Sequence, residues 1–355
     1  DAVGLPSEIL RETLVSNPYC FDQPIEEPGS FFNRTSELTR IASRIAADRP
    51  QSVSVVGPAC SGKTSLINWL CHPQAQKQYL EDPPQCLLLR LRLSFDPPQT
   101  PQAFFERVNR AVLWHGEEGI EATYDGFDGL VRRLMKDKRK LIVFLDDFGL
   151  VTRNAGFPLD FFSFMRSLAN SHDVGYLTTS WDALQRMCHT QDIEESPFFN
   201  TFTTVTLEPF KTTEARRLVE EPAAAAGQPF GEEVDWILEL GGRSPYLLQV
   251  ASHVAFAAVS EGSSEMGTIA DRAYSAAQKH LDELWQDLSE PQRQVMCAIT
   301  DGKRVDHRQE YAAESLERMG MAFRDNEGAY SIPASLIARY VGAHGKGGFL
   351  KRLFG

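Results

Sequence analysis

The chain has 355 residues, 42% of them hydrophobic and 24% charged, which is enough for two or three folded domains of ordinary globular composition. Its formal net charge of −12 discourages non-specific binding to DNA or anionic membranes, and no apolar run is long enough to span a bilayer. Six scattered cysteines form no CxxC pair, so we expect reduced thiols and a cytoplasmic location rather than a disulfide framework.

The first part of the chain alternates predicted strands with predicted helices. Residues 1–30 are rich in Pro, Glu and Asp, and this composition predicts an extended arm. Apolar runs and helical periodicity then predict, in chain order, a helix over 36–48, a strand over 53–56, a helix over 65–70, a strand over 86–95, helices over 101–113 and 127–135, a strand over 141–145, a helix over 160–169, and strands over 174–179 and 202–207. This alternation predicts the α/β class, with a parallel sheet covered by helices on both faces.

After residue 209 the strand signals stop. Helices are predicted over 213–225, 232–240, 245–260, 269–286 and 312–319. Ser289 and Gln292 fit a capping box, and Gly320 fits a helix C-cap. The turn residues 325–328 between short apolar segments predict a two-stranded wing. The pattern indicates an all-helical region followed by a winged helix.

One segment matches a phosphate-binding motif. Residues 57–64, Gly-Pro-Ala-Cys-Ser-Gly-Lys-Thr, satisfy GxxxxGK[ST] in full and lie between a predicted strand and a predicted helix. The glycines let the backbone curl so that successive N–H groups point at phosphate oxygens. Lys63 is expected to neutralise the β and γ phosphates, and the Thr64 hydroxyl to ligate Mg²⁺. The predicted nucleotide contacts in this segment are Gly57, Pro58, Ala59, Cys60, Ser61, Gly62, Lys63, Thr64 and Ser65.

Two acids follow the apolar strand predicted over 141–145. Asp146 is placed at the carboxyl edge of the sheet, where ligands bind in open α/β sheets, and is expected to hold the metal directly or through water. Asp147 is expected to polarise the attacking water or to report the γ-phosphate. Two ordinary acids opening a polar loop are the alternative, which a full phosphate-binding motif some 80 residues upstream disfavours.

Two further residues are candidates with open alternatives. The Thr179 hydroxyl lies next to the γ-phosphate if its strand sits between the first and the third; a threonine that ends a strand without a function is the alternative. Arg166, on the predicted helix before that strand, is a candidate arginine finger for a neighbouring subunit's nucleotide. A solvated helix arginine is the other interpretation.

The order of these motifs resembles a known family. Asn17-Pro18-Tyr19 precedes the segment 31–38, Phe-Phe-Asn-Arg-Thr-Ser-Glu-Leu, which comes just before the first helix. The phosphate loop, the Asp-Asp strand, the strand end Leu-Thr-Thr-Ser at 177–180 and the segment 241–249, Gly-Gly-Arg-Ser-Pro-Tyr-Leu-Leu-Gln, follow. This order resembles the STAND class of signal-transduction ATPases in the AAA+ superfamily, especially its prokaryotic members.

The resemblance implies a domain order and further nucleotide contacts. It covers residues 17–342 and implies a P-loop NTPase domain (31–209), a helical lid (210–288) and a winged helix (289–342). The arm (1–30) precedes these domains, and a basic tail or linker (343–355) follows them. Carried over from the family, the additional residues near the nucleotide are Phe32, Arg34 and Pro245, with Pro18 and Tyr19 of the arm.

The chain departs from the family at three places. Asn33 stands where glycine is usual, a mild change because Asn tolerates a left-handed backbone. Ser180 stands where many eukaryotic relatives carry a sensor arginine, and 330–334, Tyr-Ser-Ile-Pro-Ala, lacks the Met-His-Asp motif. Slow hydrolysis is therefore expected.

The leading functional hypothesis is a regulatory switch that binds ATP or ADP with Mg²⁺. ATP is expected to favour self-association and ADP a closed monomer, with a separate sensor or effector domain or protein as partner. Because residue 1 is Asp rather than Met, we expect a processed protein or a piece of a longer one.

Two other functions are alternatives. Origin-recognition ATPases also join an AAA+ core to a winged helix, but residues 290–355 carry ten Lys plus Arg against eight Asp plus Glu, and Glu314 and Glu317 lie on the candidate recognition helix. DNA binding is therefore the weaker interpretation. The mixed basic and apolar segment 347–354 is a candidate for membrane contact, and a linker to a further domain explains it equally well.

Overall fold

The computed structural model describes residues 16–79, 85–263 and 265–353. The first half of the predicted arm lies outside the described residues, as do the side chains of the predicted membrane-contacting segment 347–354. The described part of the chain forms two compact units, one of residues 24–208 and the other of residues 16–23 with 209–353. None of the helices in the described residues is both long and apolar enough to cross a bilayer.

The first unit is built on a five-stranded parallel sheet, which confirms the predicted fold class. The strands are β1 (Ser52–Val56), β2 (Cys86–Arg92), β3 (Lys140–Asp146), β4 (Val174–Ser180) and β5 (Phe202–Thr206), in the spatial order β2-β3-β4-β1-β5. Strand β2 ends three residues before its predicted end, because the chain turns away from the sheet before the left-handed Asp96 (φ +60°) and leaves Phe95 82% exposed.

Helices cover both faces of this sheet. They are α1 (Thr35–Ile45), α2 (Lys63–Cys71), α3 (Pro73–Tyr79), α4 (Pro101–Trp114), α5 (Tyr124–Lys136), α6 (Gly149–Thr152), α7 (Leu159–Ser171) and α8 (Gln191–Glu194). Alternation along β3 divides the core: Leu141, Val143 and Leu145 pack in one cluster with α4, α5 and α7, whereas Ile142 and Phe144 pack in the other with α1 and α2. The inner strands β3 and β4 are thus buried on both faces, whereas the edge strand β5 buries only Val205.

The strand order brings three strand ends together at one edge. β4 pairs with β1 on one side, with Val55 opposite Thr179, and with β3 on the other, with Leu145 opposite Thr178. The prediction for Thr179 required its strand to lie between the first and the third strand. β4 does lie between β1 and β3, so this condition is met. The loop after β1 and the acids at the end of β3 flank the end of β4.

The second unit contains a helical lid and a winged helix. Its elements are α9 (Thr212–Ala225), α10 (Glu233–Gly241), α11 (Pro245–Ser260), α12 (Met266–Asp287), α13 (Glu290–Thr300), α14 (Glu310–Arg318), β6 (Phe323–Arg324), β7 (Tyr330–Ser331) and α15 (Ser335–Leu353). The predicted capping box is present, with the Ser289 N–H donating to Gln292 Oε1 at 2.8 Å. Gly320 follows α14 with φ +75°, as a C-cap glycine should.

Candidate functional site

The loop between β1 and α2 has the curled backbone expected of a phosphate-binding loop. Cys60 (φ +57°) and Gly62 (φ +95°) both lie in the left-handed region. Gly57 must lack a side chain, because a Cβ there would come within 2.7 Å of Ser61 Oγ and 3.2 Å of Leu207 Cβ. Ser61 is buried, and its Oγ finds no hydrogen-bond partner among the described residues. The loop is thus tight and retains a hydroxyl able to bind a ligand.

Lys63 folds back over this loop from the first turn of α2. Its Nζ donates to the carbonyl oxygens of Gly57 and Pro58, at 2.7 Å each. Burial lowers the pKa of the Lys63 ammonium, and the carboxylates of Asp147 and Asp146 oppose that shift. The ammonium is therefore held above the loop, where its remaining N–H can reach an anion.

Asp146 lies at the centre of a hydrogen-bond chain along the sheet edge. Its side chain is 1% exposed, and Oδ1 accepts from the Thr179 hydroxyl at 2.7 Å and from the Thr64 hydroxyl at 3.3 Å. Burial raises the pKa of the Asp146 carboxyl, while the hydrogen bond from Thr179 opposes that shift. One carboxylate thus joins the phosphate loop, through Thr64, to the end of β4.

Asp147 adopts an unusual backbone conformation beside Asp146. Its φ of +61° lies in the left-handed region, which costs a non-glycine residue about 1 kcal/mol or more. The Asp147 N–H donates to Thr179 Oγ1 at 2.8 Å, and the Phe148 N–H donates to the Thr179 carbonyl at 2.9 Å. Thr179 therefore holds both acids at once, and the turn aims Asp147 away from the direction that the strand would give it.

Arg34 contacts the phosphate loop from the segment before α1. Asn33 (φ +66°) adopts the left-handed backbone that its residue type tolerates, and Arg34 (φ +61°) does the same. The Arg34 guanidinium is buried and donates to the carbonyl oxygens of Ser61 at 3.2 Å and Glu208 at 2.7 Å, as well as to Glu37 Oε1 at 2.8 Å. Its predicted contact with a nucleotide stays a prediction, as does that of the half-buried Phe32.

Ser65 has a partner in the described arm. Its Oγ accepts from the Ile25 N–H at 3.0 Å, and Asn68, one turn further along α2, donates from Nδ2 to the Ile25 carbonyl at 2.6 Å. The segment around residue 25 is therefore fastened to the helix that follows the phosphate loop. The nucleotide contact predicted for Ser65 remains a prediction.

Of the other predicted residues, Pro18, Tyr19 and Pro245 belong to the second unit, and Arg166 lies on α7 of the first. Tyr19 is buried in the second unit, where its hydroxyl donates to the Val219 carbonyl. Pro18 is half-buried beside it, and Pro245 opens α11 at its first position. Arg166 is exposed on α7, as both interpretations of it require. The nucleotide contacts of Pro18, Tyr19 and Pro245 and the arginine-finger role stay predictions.

Comparison with known families identifies the family of this chain. The family described as Novel STAND NTPase 2 matches residues 47–305, which is more than half of the chain and includes the phosphate loop, both acids and Thr179. The chain belongs to this STAND NTPase family. No curated protein matches it.

Solved structures resemble this STAND NTPase over almost its whole length. A Walker-type ATPase of Pyrococcus abyssi is 15% identical and covers 90% of this chain and 98% of its own, with a TM-score of 0.63. The ORC2 protein of Aeropyrum pernix, in ADPNP-ADP complexes, is 15% identical and covers 96% and 99%, also with a TM-score of 0.63. Drosophila ORC bound to DNA is 11% identical and covers 96% and 94%, with a TM-score of 0.53. At these identities the likeness is one of fold.

One charged residue in the sheet of the STAND NTPase was not among the candidates predicted from the sequence. Arg90 lies in β2 on the same face as Arg92, which is in register with Asp146 on β3. Its Nε and Nη2 are buried and make no hydrogen bond within the described part of the chain. Burial lowers the pKa of the Arg90 guanidinium, and the charge of Asp146 opposes that shift. An arginine inside the apolar run Leu-Leu-Leu-Arg-Leu was the available signal.

Proposed function

We propose that this STAND NTPase is an ATP-binding switch that hydrolyses ATP slowly. The observation that carries the proposal is the hydrogen-bonded group at the sheet edge, in which Thr64 and Thr179 both donate to Asp146 and Lys63 folds over the loop that precedes it. A loop lysine, a loop hydroxyl and a buried strand-end acid are the parts that P-loop NTPases use to hold a nucleotide and its metal.

The residues present suit ATP or ADP with Mg²⁺. Thr64 Oγ1 and Asp146 Oδ1 are hard oxygen ligands 3.3 Å apart, the chemistry that Mg²⁺ prefers. They would hold the metal directly or through water, and it would supply charge that neutralises the phosphates. The Ser61 hydroxyl, buried without a protein partner in the described residues, adds a donor for phosphate oxygen. The proposed nucleotide contacts are residues 57–65, with Phe32, Arg34, Thr179, Pro18, Tyr19 and Pro245.

The chain's own residues would act as follows. Lys63 exchanges its two carbonyl partners for β and γ phosphate oxygens, a stronger charge-assisted contact. Asp147, turned out of the strand by its left-handed backbone, polarises the attacking water. Arg166 of a neighbouring copy adds positive charge in the transition state. The small side chain of Ser180, in place of a sensor arginine, keeps hydrolysis slow.

The structural relatives support the nucleotide class. The Aeropyrum pernix ORC2 protein has the same fold over 99% of its length, and its structure was solved in ADPNP-ADP complexes. In this chain the loop after β1 and the strand-end acid lie at the same edge of the sheet, the edge where ligands bind in open α/β sheets, and this supports the proposal. Adenine rather than guanine nucleotide is proposed because no Asn/Thr-Lys-x-Asp segment follows the Asp-Asp strand.

The switch would lie in the second unit. We assign a lid to residues 210–288 and a winged helix to 289–342, with the ATP state favouring self-association and a further sensor or effector domain or protein as partner. Contacts with the γ-phosphate stabilise one domain arrangement and not the other, so nucleotide exchange shifts the population.

Lys63→Ala tests the site directly. Removing the ammonium should weaken ATP binding by at least about a hundredfold, because the β and γ phosphates lose their cation. Isothermal calorimetry of the full chain measures this, with Lys77→Ala on α3 as the matched control that keeps wild-type affinity. An unchanged affinity of Lys63→Ala for ATP would defeat the site assignment.

A DNA-binding regulator is the second candidate, because Drosophila ORC bound to DNA shares the fold and exposed Lys303, Arg304 and Arg308 precede α14. The exposed Glu314 on α14 repels phosphates, so we propose that duplex DNA is not the ligand. A mobility shift of labelled duplex that weakens steeply with salt would reverse this ranking.

A further inference from the structure

The described part of the arm, residues 16–23, belongs to the same compact unit as the lid helices α9, α11 and α12. This segment forms neither a helix nor a strand of its own. Its hydrogen bonds to α9 and α11 join positions 200 to 236 apart in the chain. The segment is therefore held by contacts with the lid surface, as a bound peptide is held by its receptor, rather than by local chain structure.

Two side chains of α11 hold one peptide group of this segment from both sides. His253 Nδ1 donates to the Tyr19 carbonyl at 2.7 Å, and the Cys20 N–H donates to Gln249 Oε1 at 3.1 Å. The two lid residues lie one helical turn apart, so their side chains lie on the same face of α11. Because both bonds go to the main chain, they recognise the segment as a peptide and fix its position along the helix.

Tyr19 is the buried residue of this segment, with 2% of it exposed. Its ring lies 6.0 Å from the rings of Phe230 and Phe256 and packs in one apolar cluster with Ala223. Its hydroxyl donates to the Val219 carbonyl. A buried aromatic ring with a satisfied hydroxyl is the kind of anchor that dominates the affinity of protein interfaces.

Asn17 and Phe21 flank this anchor and add specificity. Asn17 Nδ2 donates to the His253 carbonyl at 2.9 Å, while its Oδ1 accepts from the Tyr19 N–H at 3.1 Å. The Phe21 ring lies 5.1 Å from that of His253 and 6.3 Å from that of Tyr246. The lid thus contacts an amide and two aromatic rings at alternate positions, so it recognises the pattern Asn-x-Tyr-x-Phe together with one peptide group.

We propose that this surface is a peptide-recognition site whose partner is residues 16–23 of a second copy of the chain. We call it the lid site and define it by residues that contact the segment: Val219, Phe230, Tyr246, Gln249, His253 and Phe256. The same segment makes the same contacts from either copy, so its exchange changes no contact energy and costs only the freedom lost on association. The inference goes beyond the nucleotide switch and does not depend on it.

The chain's own arm has an advantage over the arm of a second copy. A covalently linked segment acts at an effective concentration of about a millimolar, so the wild-type chain at micromolar concentration keeps its own arm on the lid site. A second copy therefore gains access when the chain's own arm is disabled by substitution.

A labelled peptide with the sequence of residues 16–23 tests the lid site in the full chain. Tyr19→Ser with Phe21→Ser disables the chain's own arm, and this arm variant should bind the peptide about tenfold or more tightly than the wild-type chain, measured by fluorescence anisotropy. Adding Gln249→Ala and His253→Ala should weaken that binding by about tenfold or more, because both hydrogen bonds to the peptide group are lost. A peptide with Tyr19→Ala should bind the arm variant about a hundredfold more weakly, because it lacks the buried anchor.

Mixing two full-length variants tests the exchange between copies. The arm variant keeps an intact lid site, and a lid variant, Gln249→Ala with His253→Ala, keeps an intact arm. Size-exclusion chromatography with light scattering, without nucleotide, should give a heterodimer from the mixture and monomers from each variant alone. Gln23→Ser and Lys279→Ala, at exposed positions of the arm and of α12, are the matched control pair. Their mixture should stay monomeric, because each lid site holds its own arm.

Asn17→Ala is a second, milder arm variant, because it leaves the Tyr19 ring available to the lid. It should bind the labelled peptide about threefold more tightly than the wild-type chain does. If neither arm variant, folded by circular dichroism, binds the peptide more tightly than the wild-type chain, the lid site is no recognition site and the inference is overturned. A peptide that binds while the mixture of variants stays monomeric would overturn the second copy as the partner.

Discussion

Asp147 combines an acidic side chain with a backbone that only few residue types adopt. Asn also tolerates the left-handed region, so Asp147→Asn should preserve the turn held by Thr179 while removing the charge. Loss of a group that polarises water lowers turnover by about a hundredfold or more. Single-turnover phosphate release should show that loss with ATP affinity within about threefold of wild type, and an unaltered rate would remove Asp147 from the mechanism.

Burial of the Arg90 guanidinium lowers the free energy of unfolding of the chain. Two of its guanidinium nitrogens are buried without a hydrogen bond in the described residues, and each such group costs about 1 kcal/mol or more. Arg90→Met should therefore raise the free energy of unfolding of the nucleotide-free chain by about 1 kcal/mol, measured by urea denaturation.

The same variant should weaken binding of Mg²⁺-ATP, because a positive charge is lost from the sheet face that carries Asp146. Arg132→Met, on the exposed surface of α5, is the control that should change neither quantity. A variant that is less stable and binds Mg²⁺-ATP normally would show that Arg90 is a structural residue.

The residues that a motif defines could be found from the sequence, and those defined by long-range contacts could not. GxxxxGK[ST] and the two acids name their own positions, because the spacing of each group follows from its local backbone. Arg34 came only through family resemblance, and its bond to the Glu208 carbonyl joins positions 174 apart in the chain. Arg90 is anomalous as a charge in an apolar strand, but the strand pairing that places it beside β3 does not show in the sequence.

At the scale of elements, the type and order of the helices and strands could be predicted, whereas their first and last residues were predicted less accurately. All five strands of the sheet were predicted, four of them from apolar runs and β5 from its alternation around threonines. Helix α5 begins three residues before its predicted start, where the Thr123 hydroxyl accepts from the Gly126 N–H at 3.1 Å, a capping signal present in the sequence. Helix α6 has four residues, too few for any periodicity to show.

The packing of α12 against α11 predicts acid sensitivity. His280 is buried, its ring lies 4.2 Å from that of Tyr246, and burial lowers the pKa of His280 to about 4. An unfolded histidine titrates near 6.5, so between these values the unfolded chain takes up a proton that the folded chain does not. The free energy of unfolding should fall as pH drops from about 6.5 to 4, by up to about 3 kcal/mol.

Chemical denaturation across that pH range measures the effect. His280→Phe keeps a ring against Tyr246 without a titrating group, so the loss of stability below pH 6.5 should be smaller by about 1 kcal/mol per pH unit. His307→Asn, at an exposed position, should leave the wild-type dependence intact. If the free energy of unfolding falls with pH as steeply in His280→Phe as in the wild-type chain, then His280 is protonated in the folded state.

At the scale of the whole molecule, the sequence predicted the order of the regions and missed how the arm is used. The arm was predicted to be extended, with Pro18 and Tyr19 near the nucleotide. In its described part, Asn17 Nδ2 donates to the His253 carbonyl 236 positions away, and the Tyr19 ring packs with Phe230 and Phe256. Contacts at such separations depend on the finished fold rather than on local propensity. The arm therefore belongs to the second unit until it crosses at Pro24.

Self-association is the property that decides whether the nucleotide site drives a switch. If γ-phosphate contacts stabilise an arrangement that exposes an interface, light scattering should give the monomer mass with ADP and at least twice that mass with ATPγS. Lys63→Ala should stay monomeric with either nucleotide, because it cannot hold the phosphates that distinguish them.

Arg166→Ala should still associate with ATPγS but hydrolyse ATP more slowly, since a finger contributed to a neighbour acts only in the assembled state. A monomer of Arg166→Ala that hydrolyses ATP at the wild-type rate would exclude the finger. A wild-type chain that keeps the same mass with ADP, ATP and ATPγS would leave an ATPase without the proposed switch.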